Sequence, residues 1–206
     1  MGKDLLNGII EEKNSRIIEV LLSALSPFEL MAGKILGLGA VSLTVIGLWA
    51  GGAYLAARWQ GLPIEVTAGL GVTFAIYYVL GFLLFSSILV AAGSVCNSLK
   101  ETQSLMMPFM LVSIVPMLAW FRLVQDPHGT LARTLSFVPP MTPMVMILRL
   151  ASTPDIGIGE VLLTITLLGA SVLGAIWIAA KVFRTGILMY GKRPGFNEVV
   201  RWLRQS

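Results

Sequence analysis

Residues Ile35 to Ala57 read ILGLGAVSLTVIGLWAGGAYLAA, 23 residues without a charge. A hydrocarbon core of about 30 Å needs roughly 20 apolar residues when a helix rises about 1.5 Å per residue. One central arginine or lysine would cost about 2.5–3.5 kcal/mol of insertion energy, whereas each leucine or isoleucine returns about 0.3–0.6 kcal/mol. A clean window of this length therefore reads as a membrane span. Moving outward, the same test finds Val66 to Leu99 uncharged for 34 residues, and Thr102 to Phe121 and Val161 to Ala180 for 20 each. The expected fold is all-α and multi-pass, with four transmembrane helices at about 35–57, 71–95, 105–124 and 160–183.

Composition agrees. Only 13% of the 206 residues are charged and 56% are hydrophobic, with a mean hydropathy of +0.83. Soluble domains carry about 25% charge, so an ordinary soluble enzyme is excluded, as is a disordered chain. The net charge of +4 is not gathered into a dense basic run with aromatics, which argues against a nucleic-acid surface. A single cysteine, Cys96, excludes an internal disulfide framework and a Cys-rich metal site.

A fifth uncharged run, Thr134 to Leu148, has only 15 residues and is interrupted by Pro139-Pro140 and Pro143. Proline removes a donor and disfavours helix in the residue before it. This run, within about 133–151, reads as re-entrant or interfacial half-helices, with a plain external loop as the alternative. Arg133 and Arg149 bound it. They read as snorkelling interfacial arginines or as partners for acidic lipid or substrate groups.

Lysine and arginine set the orientation. Four crossings with the N-terminal segment inside put Lys3, Lys13, Arg16, Lys34, Lys100 and six tail cations on the cytoplasmic side. Only Arg58, Arg122, Arg133 and Arg149 then face out. Both termini are expected in the cytoplasm of a multi-pass protein of the cell (inner) membrane. Trp49, Trp59, Trp120 and Trp177 lie toward the ends of their runs, where interfacial aromatics gather.

Three parts follow from this topology: a cytoplasmic amphipathic segment (1–26), a transmembrane domain (27–183) and a basic cytoplasmic tail (184–206). In the first, Ile17, Val20, Leu21 and Leu25 recur at helical spacing, and Glu12 and Arg16 form an i,i+4 pair. This pattern suits either an interfacial anchor or a docking helix for a soluble partner, and mixed charges favour the second. Ser26-Pro27-Phe28-Glu29 then has the form of a capping box that starts a new helix. Gly33-x-x-x-Gly37 and Gly47-x-x-x-Gly51 carry the spacing of close helix packing, and Pro108 and Pro116 predict kinks in the third span.

Catalytic patterns are missing from the sequence. There is no H-E-x-x-H and no G-x-x-x-x-G-K-[ST], and the single histidine, His128, reads as a solvated turn residue beside Asp126 and Pro127. No carboxylate, lysine or histidine falls in the middle of an expected span, where ion-driven carriers usually keep one. No catalytic, metal-binding or cofactor-binding residue is assigned. If the chain moves a substrate uphill, another subunit supplies the energy.

With these features in place, the sequence resembles the permease subunits of ABC-2 type exporters, and among them the sodium-efflux-type permeases. The resemblance is carried by Glu11-Glu12-Lys13 through Arg16, Ile18 to Leu22, Ser26-Pro27 and Gly33-Lys34. It continues in NSLKETQ at 97–103, in Pro139-Pro140-Met141-Thr142-Pro143 with Arg149, and in GILMYGKR at 186–193 with Arg201-Trp202-Leu203. The family pattern implies an ATP-binding subunit and a second permease half, identical or not, as partners. ATP and magnesium belong to the partner subunit. It further implies an ATPase-coupling segment at Glu11, Glu12, Lys13, Arg16, Glu19 and Leu21, and a second contact at Lys100 and Glu101. Pro139, Pro140, Thr142, Pro143 and Arg149 would form an external gate. Family members usually place another span, a large external domain and a further span before the coupling segment, so the chain resembles the C-terminal portion of a six-span permease. The alternative expectation is an accessory membrane subunit without transport activity of its own.

Overall fold

The computed structural model describes residues 2–14, 17–61, 67–96, 99–153 and 155–186. Eight helices are described: α1 (Gly2–Asn14), α2 (Ile17–Ala24), α3 (Pro27–Trp59), α4 (Ala68–Val95), α5 (Leu99–Gln125), α6 (Thr130–Ser136), α7 (Thr142–Ser152) and α8 (Ile158–Gly186). The described residues contain no strand. Pro27–Trp59, Gly69–Val95 and Ile158–Arg184 are each long and apolar enough to cross a membrane. The protein is thus an all-α, multi-pass membrane protein. Helix α5 has 27 residues, and its apolar stretch among the described residues is Met110–Gln125.

The expected capping box starts α3. The Ser26 hydroxyl accepts from the Glu29 backbone N–H at 3.3 Å, and the Ser26 N–H donates to the Glu29 carboxylate at 2.8 Å. Pro27 occupies the first turn, where its missing N–H costs nothing. As a result α3 begins eight residues before the uncharged window and carries Lys34 in its second turn.

Helix α4 is apolar on every side, the pattern of a buried helix, and it is the centre of the bundle. At one end it packs in a cluster of Leu6 and Ile9 from α1, Leu30, Met31 and Ile35 from α3, its own Leu89 and Val90, and Ala179 and Phe183 from α8. At the other end Tyr77 and Leu84 join Met146 of α7, Ile156 of the α7–α8 connection, and Leu168 and Val172 of α8. Leu123 of α5, Ala132 of α6 and Val145 of α7 form a third cluster there. The chain therefore leaves the α1 end along α3, returns along α4, leaves again along α5 and returns along α8.

Between α5 and α8 lies a helical hairpin, α6 and α7, wedged against α4. Pro143 packs on Gly81, where an added Cβ would meet the proline ring at 2.8 Å. Gly81 is thirteen residues into α4, about 20 Å from its start at 1.5 Å per residue. The turn at Pro139-Pro140 reaches further, lining a space with Leu84 and Ile88 of α4 and Gly174 of α8. The short uncharged run thus falls in two short helices, α6 and α7, and the turn between them, packed alongside the long helices.

Close helix contacts occur at glycines other than the expected ones. An added Cβ at Gly33, Gly37, Gly47 or Gly51 would meet nothing within 4 Å, whereas Gly39 meets Phe82, Gly81 meets Pro143 and Gly93 meets Leu6. The G-x-x-x-G spacings lie on parts of α3 that face away from the bundle. The spacing marked small residues correctly, but a helix needs a neighbour on that side before small residues bring backbones together. Helix α5 continues through both Pro108 and Pro116.

Candidate functional site

The hairpin is fixed by a charge. Arg149, in the last turn of α7, is 0% exposed. Its Nε donates to the Pro127 carbonyl at 2.6 Å, and its Nη1 donates to the Ser136 hydroxyl at 2.8 Å and to Glu160 Oε1 at 2.5 Å. The Met146 sulfur lies 3.5 Å from the same nitrogen, but the two Nη1 hydrogens are already directed to the oxygens. Nη2 is buried without an acceptor among the described residues. One guanidinium thus ties α7 to the α5–α6 turn, to the end of α6 and to the first turn of α8.

Hydroxyl groups extend this knot. The Thr142 hydroxyl donates to the Ser136 carbonyl at 2.7 Å, closing the base of the hairpin. Thr164 Oγ1 lies 2.9 Å from the Glu160 carbonyl and 2.7 Å from the Tyr77 hydroxyl. If Thr164 directs its single hydrogen to Glu160, it accepts from Tyr77, which brings α4 into the network. The neighbouring Tyr78 faces the other way and bonds Ser42 of α3. Adjacent tyrosines therefore fasten α4 to α8 and to α3 at one depth.

Three details present the Pro127 carbonyl and the hairpin in this position. The Gly129 N–H bonds the Asp126 carbonyl at 3.1 Å. The Asp126 carboxylate occupies the space in which a side chain at 129 would stand, so a larger residue there would have to displace it. Thr142 and Pro143 open α7, with proline in the first turn.

At the opposite end, Glu12 of α1 pairs with Lys34 of α3 at 2.6 Å. The expected partner, Arg16, lies outside the described residues. Glu11 is exposed on α1, while Leu21 of α2 packs partly against the core. Glu101 is half-buried in the first turn of α5. Lys13, Glu19 and Lys100 fall within helices, but their side chains lie outside the described residues. The anticipated apolar face over residues 17–25 is largely open: Ile17 and Val20 of α2 and Leu25 just after it are exposed, whereas Leu6, Ile9 and Ile10 of α1 are buried.

Of the residues expected at the hairpin, Thr142 and Arg149 are buried and Pro139, Pro140 and Pro143 are half-buried against neighbouring helices. The reading of Arg149 as a snorkelling arginine is overturned, because it turns inward onto Glu160. Arg133, by contrast, is exposed. Among the described residues, no group of three His, Cys, Asp or Glu side chains comes together.

A family model described as "ABC-2 family transporter protein" matches residues 5–181, a range that takes in both ends of the bundle and the hairpin. The chain belongs to the ABC-2 transporter family. This ABC-2 chain is 33% identical over 203 residues to the uncharacterized protein MJ1024 of Methanocaldococcus jannaschii, covering 96% of the chain and 48% of the relative. It is 28% identical over 215 residues to the uncharacterized protein YhaP of Bacillus subtilis, covering 95% of the chain and 49% of the relative. The chain spans about half the length of these curated relatives. No solved structure gives a significant match.

The sequence reading missed Glu160, Ser136, Tyr77 and Thr164 as members of one site. One signal was present: Arg149 and Glu160 are opposite charges that bound two uncharged windows on either side of a single short loop. Tyr77, Ser136 and Thr164 carry no such mark, because hydroxyl residues are common within apolar runs.

Proposed function

We propose that this chain is the transmembrane permease subunit of an ATP-driven ABC-2 exporter of an ion or small molecule. A separate subunit hydrolyses ATP, and this chain contributes no catalytic group. Four helices, α3, α4, α5 and α8, cross the cell membrane, with the α1 end in the cytoplasm. The cation distribution supports that orientation. The hairpin of α6 and α7 enters the bilayer from outside and acts as the outer lid, held by Arg149. A second permease half completes the pathway. The motif resemblance supports the sodium-efflux-type branch.

The observation that carries this reading is the way α1 is built into the bundle. Leu6 and Ile9 share one cluster with α3, α4 and α8, and Glu12 pairs with Lys34 of α3. A force applied to the α1–α2 segment therefore reaches three long helices together. The exposed Ile17, Val20 and Phe28 beside Glu11 and Glu29 offer the mixed apolar and charged face that a soluble partner needs. A photo-crosslinker at Val20 in native membranes tests the docking role. Capture of a nucleotide-binding subunit is expected, and labelling of lipid alone would refute that role.

A further inference from the structure

The hairpin end also contains an open cleft of about 530 Å³ between α3, α4 and α7. Small residues on the three helices, Ala50, Gly71 and Ala151, make the space, and Tyr54, Phe74 and Leu150 line it. Its size and apolar walls match the range of small-ligand clefts, about 300–1,000 Å³. One wall continues upward into a charge. Ala50, Tyr54 and Arg58 follow one another at i,i+4 spacing, which places them along one side of α3. Arg58 lies in the last turn of α3, is exposed, and has no ion-pair partner among the described residues. The next residue, Trp59, is 93% exposed, as suits a side chain at headgroup level.

We infer that this cleft is a binding site for one anionic phospholipid, with an acyl chain between α3, α4 and α7 and the phosphate at Arg58. Charge complementarity selects the occupant. A neutral apolar molecule gains nothing from Arg58, and a second protein chain would have to thread between three helices of the same protomer. The inference does not depend on the transport reading, because retention of lipid is measured on this chain without any ATPase subunit.

The test is native mass spectrometry of the chain from nanodiscs of equimolar phosphatidylglycerol and phosphatidylcholine. Wild-type chain is expected to retain a single phosphatidylglycerol about fivefold more often than phosphatidylcholine, the ratio one interfacial basic residue supplies. R58Q should abolish that preference while still binding either lipid. G71L should empty the cleft of both. An added Cβ at Gly71 meets no atom within 4 Å and the rest of a leucine would point into the open cleft, so G71L should fold, which its melting curve checks. Equal retention of the two lipids by wild type would overturn the inference, as would unchanged retention by G71L. So would disulfide capture of a second copy through paired cysteines at positions 50 and 151.

Discussion

Removing the carboxylate of Glu160 should loosen the hairpin more than any surface change. In E160A, the Arg149 guanidinium stays wholly buried and keeps the Pro127 carbonyl and Ser136 hydroxyl, but it loses its counter-charge. Breaking a buried pair by deleting one partner costs about 3–5 kcal/mol. The Glu160 side chain is 19% exposed and so partly hydrated, which places this case near about 3 kcal/mol. That corresponds to about a hundredfold in the folded-to-unfolded ratio and to a Tm lower by about 6–12 °C for a chain of this size. The double variant R149M/E160L carries no buried charge and should lose less than the sum of R149M and E160L, with a coupling of about 2 kcal/mol. Reversible unfolding in mixed micelles, followed by circular dichroism, gives the energies. Hydrogen exchange should show the loosening at residues 137–152 and leave 30–45 protected. An E160A cost within about 0.5 kcal/mol of zero, the usual range of surface changes, would refute the clamp. So would additive behaviour of the pair.

Other outcomes follow from the same contacts. G81A places a Cβ against the Pro143 ring at 2.8 Å, and because that ring has little freedom the cost should be about 1–3 kcal/mol, read as a lower Tm. S26A removes the hydroxyl that caps α3 and should speed amide exchange at residues 28–30 without changing it at 77–81. E12K should separate α1 from α3 at an energetic cost of at most about 1 kcal/mol. Amide exchange at residues 6–10 of α1 should quicken in E12K, and E12K/K34E should restore its protection.

That the chain is an all-α, multi-pass membrane protein was legible because charge is so costly in lipid that its absence over 20 residues has one common explanation. The start of α3 was legible because a capping box is local, with Ser26 and Glu29 three residues apart. The polar knot was not. Arg149 and Glu160 are eleven residues apart across a loop, and the acceptor at Pro127 is a backbone carbonyl that any residue type would provide. Helix α1 also escaped the reading. Its buried side chains, Leu6, Ile9 and Ile10, are few among polar neighbours, and their value lies in the bare backbone of Gly93 on another helix. Glu12 shows the same limit from the other side: its i,i+4 neighbour was the obvious partner by sequence, yet Lys34 stands closer in space than the sequence interval suggests.

The central claim, that this chain is a permease driven by a separate ATPase, is tested most directly by purifying the tagged chain from native membranes in mild detergent. The account predicts a stoichiometric nucleotide-binding subunit in the complex, with an ATPase rate that changes when the α2 face is altered, as in V20D. Purification of a monodisperse, folded chain free of any nucleotide-binding subunit would contradict it.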